Sequence, residues 1–310
     1  MTNFFNPYGN RLPLSGLSTI IYFSLVTLTV LSCVLLWFLK SSVKKQYSMH
    51  STILGMRKIT FWRVFGLLTI IFAMGRSVVL AVNDFPNLWE VIPLHLCRTA
   101  IFLIGIILIF NKLHWIKYFG SISLLGAFIA ISYPGAGQNI GVDSFYFWDY
   151  YVAHTFLCLI TSYLIIVVKA KYTFKDTIVT INIIFVYCVI LFVINYITDI
   201  SNSVPERWKA NYLYLGLTQS KQDISFLAQI LVWPYNFFIV TGVLIAYIPI
   251  SILIWCLQNK LNIRLENKKL KISIRHSRTW RKYKKSMIHY WENHWITKLH
   301  RRRINKEASA

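Results

Sequence analysis

An all-α, polytopic membrane protein, a seven-transmembrane-helix bundle with its N-terminus outside and its C-terminus cytoplasmic, is the fold this sequence predicts. Three observations carry the prediction. Of 310 residues, 56% are hydrophobic and 14% charged, against about 45–50% and about 25% in a soluble domain. Seven apolar runs are each long enough to cross about 30 Å of hydrocarbon at about 1.5 Å per residue. Lys and Arg gather in alternate connections, as they do on the cytoplasmic side of a membrane.

The elements follow in order. The first run, near 17–39, is too long for the apolar core of a signal peptide and lacks a small-residue cleavage motif, so it reads as a retained helix. The 40–59 loop holds Lys40, Lys44, Lys45, Arg57 and Lys58 and belongs inside. The run near 60–82 returns outward to a loop, 83–91, that carries Asp84 and Glu90. The third run, near 92–110, opens with Pro93, which suits a first helical position because its missing N–H would be unpaired there. Lys112 and Lys117 mark the next connection as cytoplasmic, and the fourth run lies near 117–133. The 134–146 loop has only Asp143 and faces out, and the fifth run spans 147–168. Lys169, Lys171 and Lys175 put the next turn inside, before a sixth run near 177–198. A mixed outer loop, 199–226, leads to the seventh run, near 227–257.

The formal net charge of +22 is unevenly placed: residues 259–310 hold sixteen Lys and Arg against three acidic residues. The chain therefore divides into an apolar body, 1–258, and a basic cytoplasmic tail, 259–310. In the tail Trp280, Tyr283, Met287, Trp291 and Trp295 recur at helical spacing between Arg281, Lys282, Lys284 and Lys285, with Arg301, Arg302 and Arg303 beyond. This reads as an amphipathic helix on anionic inner-leaflet lipids. Nucleic acid, which also suits interleaved cations and aromatics, is the weaker partner, because a tail joined to a span already lies within a Debye length of the membrane surface.

Ionisable groups inside a span are costly and are functional hypotheses by default. Arg76 lies six residues, or about 9 Å, below the outer end of the second run. His95, Cys97 and Arg98 open the third, His154 lies about seven residues into the fifth, and Asn195 is near the outer end of the sixth. All converge on the outer-leaflet half. Cys97, just past the first turn, would look toward the positive end of its helix dipole beside cationic Arg98, and both favour thiolate. His95, two residues away and so about 200° around a helix, is poorly placed as its base; His154, on another helix at similar depth, is better placed. A thiol with an imidazole from elsewhere in the chain is the minimal arrangement for covalent acyl transfer. The same residues also suit a plainer account, in which the thiol packs, the imidazole bonds between helices and Arg76 pairs with Asp84 or Glu90.

Other signals point away from chemistry. Gly135 to Gly141 approaches a dinucleotide pattern, but the last glycine is one position late and a helix precedes it, so it reads as a flexible outer loop. The five cysteines lack zinc or disulfide spacing, no calcium or phosphate-loop pattern occurs, and neither a metal nor a cofactor is expected. No helix reads as interrupted near the midplane, which disfavours a transporter.

Ile92-Pro93-Leu94-His95-Leu96-Cys97 resembles the Leu-Pro-Leu-His-Leu-Cys signature of the YwaF-like bacterial membrane proteins, a family that includes eukaryotic transmembrane protein 164. Further blocks follow in the same order: Tyr133-Pro134, the aromatic stretch Phe147 to Tyr151 leading to Ala153-His154, Asn195, Asn211-Tyr212-Leu213-Tyr214-Leu215 and Trp233-Pro234. The resemblance covers roughly 60–257 and implies a seven-helix bundle and, from the eukaryotic relative, a cysteine-dependent phospholipid acyltransferase. It makes Cys97 the nucleophile and His154 the base, with His95, Asn195, Asn211 and Tyr212 as orienting groups or oxyanion donors. Arg98 stands where a small polar residue is commoner, and Arg98 and Arg76 are candidates for holding a lipid phosphate. The rival function is non-enzymatic binding, transport or sensing of a lipid or small molecule in the same pocket; a scaffolding role for the tail is a third.

Overall fold

The structure is a computed structural model that describes residues 4–7, 16–132, 141–168, 172–217, 231–258, 261–266, 269–274 and 277–307, with the side chains of 257–274 and 294–307 outside that description. The Gly135–Gly141 pattern up to residue 140, Tyr133-Pro134, Lys169, Lys171 and the side chains of Trp295 and Arg301 to Arg303 lie outside the described residues.

Among the described residues, seven helices are long and apolar enough to cross a membrane. α1 (Gly16–Phe38) is followed by a short polar helix, α2 (Lys40–Met49), and a hairpin of β1 (Thr52–Ile53) and β2 (Met56–Arg57). α3 (Lys58–Val82) is the second span. The third span, Leu88–Ile109, comprises a 3-10 turn, Leu88–Val91, an irregular stretch and α4 (Leu96–Ile109). α5 (Ile116–Ser132), α6 (Phe145–Val167), α7 (Phe174–Ile200) and α8 (Tyr235–Gln258) complete the set.

Their starts have local causes. Ser144 caps α6 by accepting from the Tyr146 N–H at 3.2 Å. Thr173 caps α7 in a reciprocal box with Asp176, satisfying N–H groups that a helix start leaves orphaned. The expectation of a start near 177 missed this box and cut the helix short. Asp176 also takes Lys117 Nζ at 2.6 Å and Tyr118 OH at 3.1 Å, so one carboxylate ties the starts of the fourth and sixth spans together.

α6 is the central helix: Ala153, Leu157, Cys158 and Leu164 are fully buried, whereas α1 and α8 present much of their surface outward. α3 and α4 approach most closely where small residues meet, since a Cβ on Gly66 would lie 2.7 Å from the Gly105 carbonyl. Between membrane helices, where no hydrophobic gradient drives association, such close packing supplies the contact energy.

The tail differs from expectation. A second hairpin, β3 (Leu261–Glu266) with β4 (Lys269–Ile274), precedes α9 (Arg278–Glu307). Part of the aromatic face of α9 meets the bundle: Tyr283 is buried and its hydroxyl lies 2.9 Å from Thr177 Oγ1. Ser286 Oγ accepts from the Phe174 N–H at 3.0 Å, and the Phe174 ring packs against Tyr283, Tyr290 and Trp291. Ser277 Oγ donates to the Cys256 carbonyl at 2.6 Å. Arg278, Arg281, Lys282, Lys284 and Lys285 remain exposed on the other side.

Candidate active site

The central feature is a break in the third span. A helix through Pro93, expected from its sequence, is not formed; the chain runs irregularly from Ile92 to His95, and α4 starts at Leu96 with His95 as its uncapped N-cap residue. The third span is thus interrupted, close to one end and not near the midplane. Irregular backbone at membrane depth is tolerated only where other groups satisfy it, and here each carbonyl from Trp89 to His95 has a donor. Tyr212 OH donates to Trp89 O at 2.6 Å, Arg76 to Glu90 O at 2.6 Å and Ser77 to Val91 O at 2.8 Å. The Leu94 N–H turns back on Ile92 O at 2.8 Å. Thr99 Oγ1 donates to Pro93 O at 2.9 Å, Tyr187 OH to Leu94 O at 2.6 Å, and the Thr99 N–H to His95 O at 2.8 Å.

The donors are less well matched. Among the described residues, the N–H groups of Leu96, Cys97 and Arg98 have no acceptor, and no side chain caps them. These are the orphan donors of a helix start, carrying the positive end of its dipole. Every residue from Pro93 to Thr99 is half-buried, so this turn borders open space instead of solid core.

Cys97 occupies the second position of α4, within its first turn rather than just past it. Its sulfur rests close to Gly126 of α5, where an added Cβ would sit 3.4 Å away. No hydrogen bond joins the thiol to the His154 imidazole. His154 is buried, and its Nδ1 lies 2.6 Å from the Tyr150 carbonyl. A carbonyl only accepts, so Nδ1 carries the proton and Nε2 keeps its lone pair.

The angular argument against His95 falls with the helix it assumed, since His95 precedes α4. Its ring instead sits in an aromatic surround of Trp89, Tyr214 and Tyr212, at centroid distances of 5.8, 5.7 and 6.4 Å.

Arg76 and Arg98 do not stand as free cations. Arg76 bonds Glu90 Oε2 at 2.7 Å and Asp149 Oδ2 at 3.2 Å, while Arg98 forks onto both oxygens of Asp149, one of them at 3.0 Å. Arg98 therefore stands beside the sulfur as one half of an ion pair with Asp149. Asp84, an alternative partner for Arg76, instead pairs with Arg207. Asn195 is fully buried and grips the Tyr212 backbone, donating to its carbonyl at 2.9 Å and accepting its N–H at 3.0 Å. Asn211 Oδ1 accepts from the Gly216 N–H at 3.0 Å. Asn195, Asn211 and Tyr212 thus form the frame that closes over the break.

Sequence reasoning missed Asp149, although two arginines in one half of a bundle require counterions and Asp149 lies inside the quoted aromatic block. It also missed Tyr187 and Thr99, which carried no signal, because nothing announced that the third span would need side-chain donors. Among the described residues no three His, Cys, Asp or Glu side chains gather as a metal-holding group.

A seven-helix bundle with a thiol at an uncapped, half-open helix end, braced by a buried ion network, defines a polytopic membrane protein with a polar centre near one end of its spans. The family model of the TMEM164 family matches residues 14–252, and the chain belongs to that family. Neither a curated protein nor a solved structure matches it.

Proposed function

We propose that the protein is a thiol-dependent phospholipid acyltransferase of the cell membrane, working in the outer-leaflet half of the bundle, with the N-terminus outside and the C-terminus cytoplasmic. The observation that carries this reading is Cys97 at the second position of α4, beside N–H groups without acceptors, in a bundle whose α6 carries a buried imidazole with Nδ1 on a carbonyl and a lone pair on Nε2. In the first step His154 Nε2 takes the thiol proton as the sulfur attacks the ester carbonyl of a phospholipid. The oxyanion is received by the N–H groups of Cys97 and Arg98, donors fixed before the charge develops. Collapse expels the lysolipid alkoxide, which takes the proton back from His154. A second lysolipid hydroxyl, deprotonated by the same ring, then attacks the thioester and releases Cys97. Catalytic hydrogen bonds are often long in ligand-free enzymes and tighten around substrate, so the open thiol–imidazole gap suits a site that closes on a lipid.

Arg76, Arg98 and Asp149 fix the break rather than hold the phosphate, while His95, Asn195, Asn211 and Tyr212 wall the approach. The exposed cations of α9 rest against anionic inner-leaflet lipids, each contributing about 1 kcal/mol near such a surface. The missing thiol–imidazole bond is the observation that favours the second reading, a lipid- or small-molecule-binding, transport or sensing protein without covalent chemistry. Proteoliposomes charged with phospholipid labelled in one acyl chain and an unlabelled lysolipid separate the two. The enzyme reading expects label transfer that Cys97→Ser and His154→Gln abolish; transfer equal to protein-free liposomes, with a lipid demonstrably bound, would overturn it.

A further inference from the structure

The turn between β1 and β2 carries an apolar residue where a polar one is usual. The register, Thr52 opposite Arg57 and Ile53 opposite Met56, leaves Leu54 and Gly55 as a two-residue turn with φ of 47° and 77°. Two positive φ values in such a turn select Asn-Gly or Asp-Gly, because a Cβ is costly there and a leucine side chain offers no local hydrogen bond in return. Leu54 is nevertheless 85% exposed, and a Cβ added to Gly55 would meet nothing within 4 Å among the described residues. The chain thus holds a leucine in a strained conformation and leaves it projecting from the protein.

The hairpin is held in place at the end of a span. Ile53 packs against the bundle core, the Lys58 N–H donates to Ser51 O at 3.4 Å, and Lys58 Nζ donates to Tyr47 O while lying 4.4 Å above the Tyr47 ring. Trp62 Nε1, on a residue about 6 Å into α3 at the usual rise, donates to the Tyr47 hydroxyl at 3.0 Å. Leu54 is four residues from the first residue of α3, at most about 14 Å of extended chain, beside a headgroup layer about 5–8 Å thick. Ile59, the second residue of α3, is already an exposed apolar side chain. The surround is cationic: Lys44 and Lys45 of α2, Arg57 of β2 and Arg63 of α3 are exposed, and residues 40–63 contain no Asp or Glu. Arg63 lies about 8 Å into the span, a depth from which a guanidinium reaches back to the headgroups.

We propose that the β1–β2 hairpin is a wedge into an anionic leaflet: Leu54 reaches the boundary between headgroups and acyl chains, and Lys44, Lys45, Arg57 and Arg63 take lipid phosphates around it. Burial of the leucine side chain in lipid offsets the cost of its backbone conformation, which an asparagine at the same turn would not incur. The cations match the charge of anionic phospholipid and select it over a zwitterionic one. On the topology proposed above this is the cytoplasmic leaflet, but the wedge depends neither on that orientation nor on acyl transfer.

The test places a photoreactive benzophenone side chain at position 54 of the full chain and, in a second variant, at the exposed Ile71 in the middle of α3. Both are purified into nanodiscs of equal parts phosphatidylglycerol and phosphatidylcholine, and adducts are read from the intact mass. Position 54 is expected to give lipid adducts in a yield similar to that at position 71. Phosphatidylglycerol should exceed phosphatidylcholine about fivefold among the adducts at 54, the effect of one basic residue near an anionic surface, and match it at 71. Lys44→Gln, Lys45→Gln and Arg57→Gln together should bring the ratio at 54 to about one. Leu54→Asn, which suits the turn and so keeps the hairpin, supplies a readout that needs no probe. In phosphatidylglycerol nanodiscs trypsin should cleave it after Arg57 about tenfold faster than the native chain, the lower end of what burying a leucine side chain supplies. Lipid adducts at 54 below about a tenth of those at 71, adducts of doubled mass that join two copies, or equal cleavage of the native chain and Leu54→Asn would overturn the wedge. A ratio near one at position 54 before any cation is removed would overturn the preference for anionic lipid.

Discussion

Removing the Asp149 carboxylate is the sharpest test of the frame around the break. Asp149 is buried, receives two bonds from Arg98 and one from Arg76, and thereby links α3, α4 and α6. In Asp149→Leu the two guanidinium groups keep only Glu90, which faces Arg76, and Arg98, whose side chain is 11% exposed, is left without a counterion. Deleting one partner of a buried pair costs about 3–5 kcal/mol, most of it from the charge left behind. For a chain of this size that corresponds to a fall in melting temperature on the order of 10 °C. The assay is thermal unfolding of detergent-purified protein, followed by loss of the monodisperse fraction. Asp149→Leu with Arg98→Met removes both charges, and because replacing a buried pair with apolar groups of similar size is often neutral, the double variant should recover most of the loss. A single variant within about 1 kcal/mol of the native protein, or a double variant no better than the single, would refute the claim that this network holds the break.

Four further outcomes follow from packing and capping. Gly66→Ala should destabilise the α3–α4 contact by about 1–3 kcal/mol, because the new Cβ would meet Gly105 O at 2.7 Å and Leu108 Cβ at 2.8 Å. Gly75→Ala, on the same helix with nothing within 4 Å, should be neutral or stabilising; the two are compared by the same thermal assay. Thr173→Val removes the α7 cap and should cost about 1 kcal/mol, readable as faster amide exchange in the first turn of that helix. Tyr283→Ala should release α9 from α7, so that trypsin cleaves after Arg281, Lys282 and Lys284 faster than in the native chain while the seven spans stay intact.

The spans were legible in the sequence because each is an apolar run of fixed minimum length, a property written residue by residue. The observed ends of α1 and α3 lie within two residues of those expected. The break was not legible. Pro93 fits a first helical position as readily as an irregular turn, and what decides between them is the set of donors from Arg76, Ser77, Tyr187 and Tyr212, scattered over three distant segments. The candidate residues were legible as types, since a charged or nucleophilic group in a span is rare enough to notice, but not as partners. Arg98 looked like a free cation because Asp149, fifty-one residues later, is joined to it only by the fold. The tail helix showed its amphipathic face in sequence; that the face meets α7 depends on where α7 begins, which the Thr173–Asp176 box fixes.

The central claim is that Cys97 is a nucleophile toward an acyl ester, and the most direct measurement is the intact mass of the protein after exposure to phospholipid without an acceptor. The account predicts a species heavier by one acyl group, mapped to Cys97, removed by neutral hydroxylamine and lost in Cys97→Ser. An unmodified mass in protein whose bound phospholipid is confirmed in the same spectrum would contradict it.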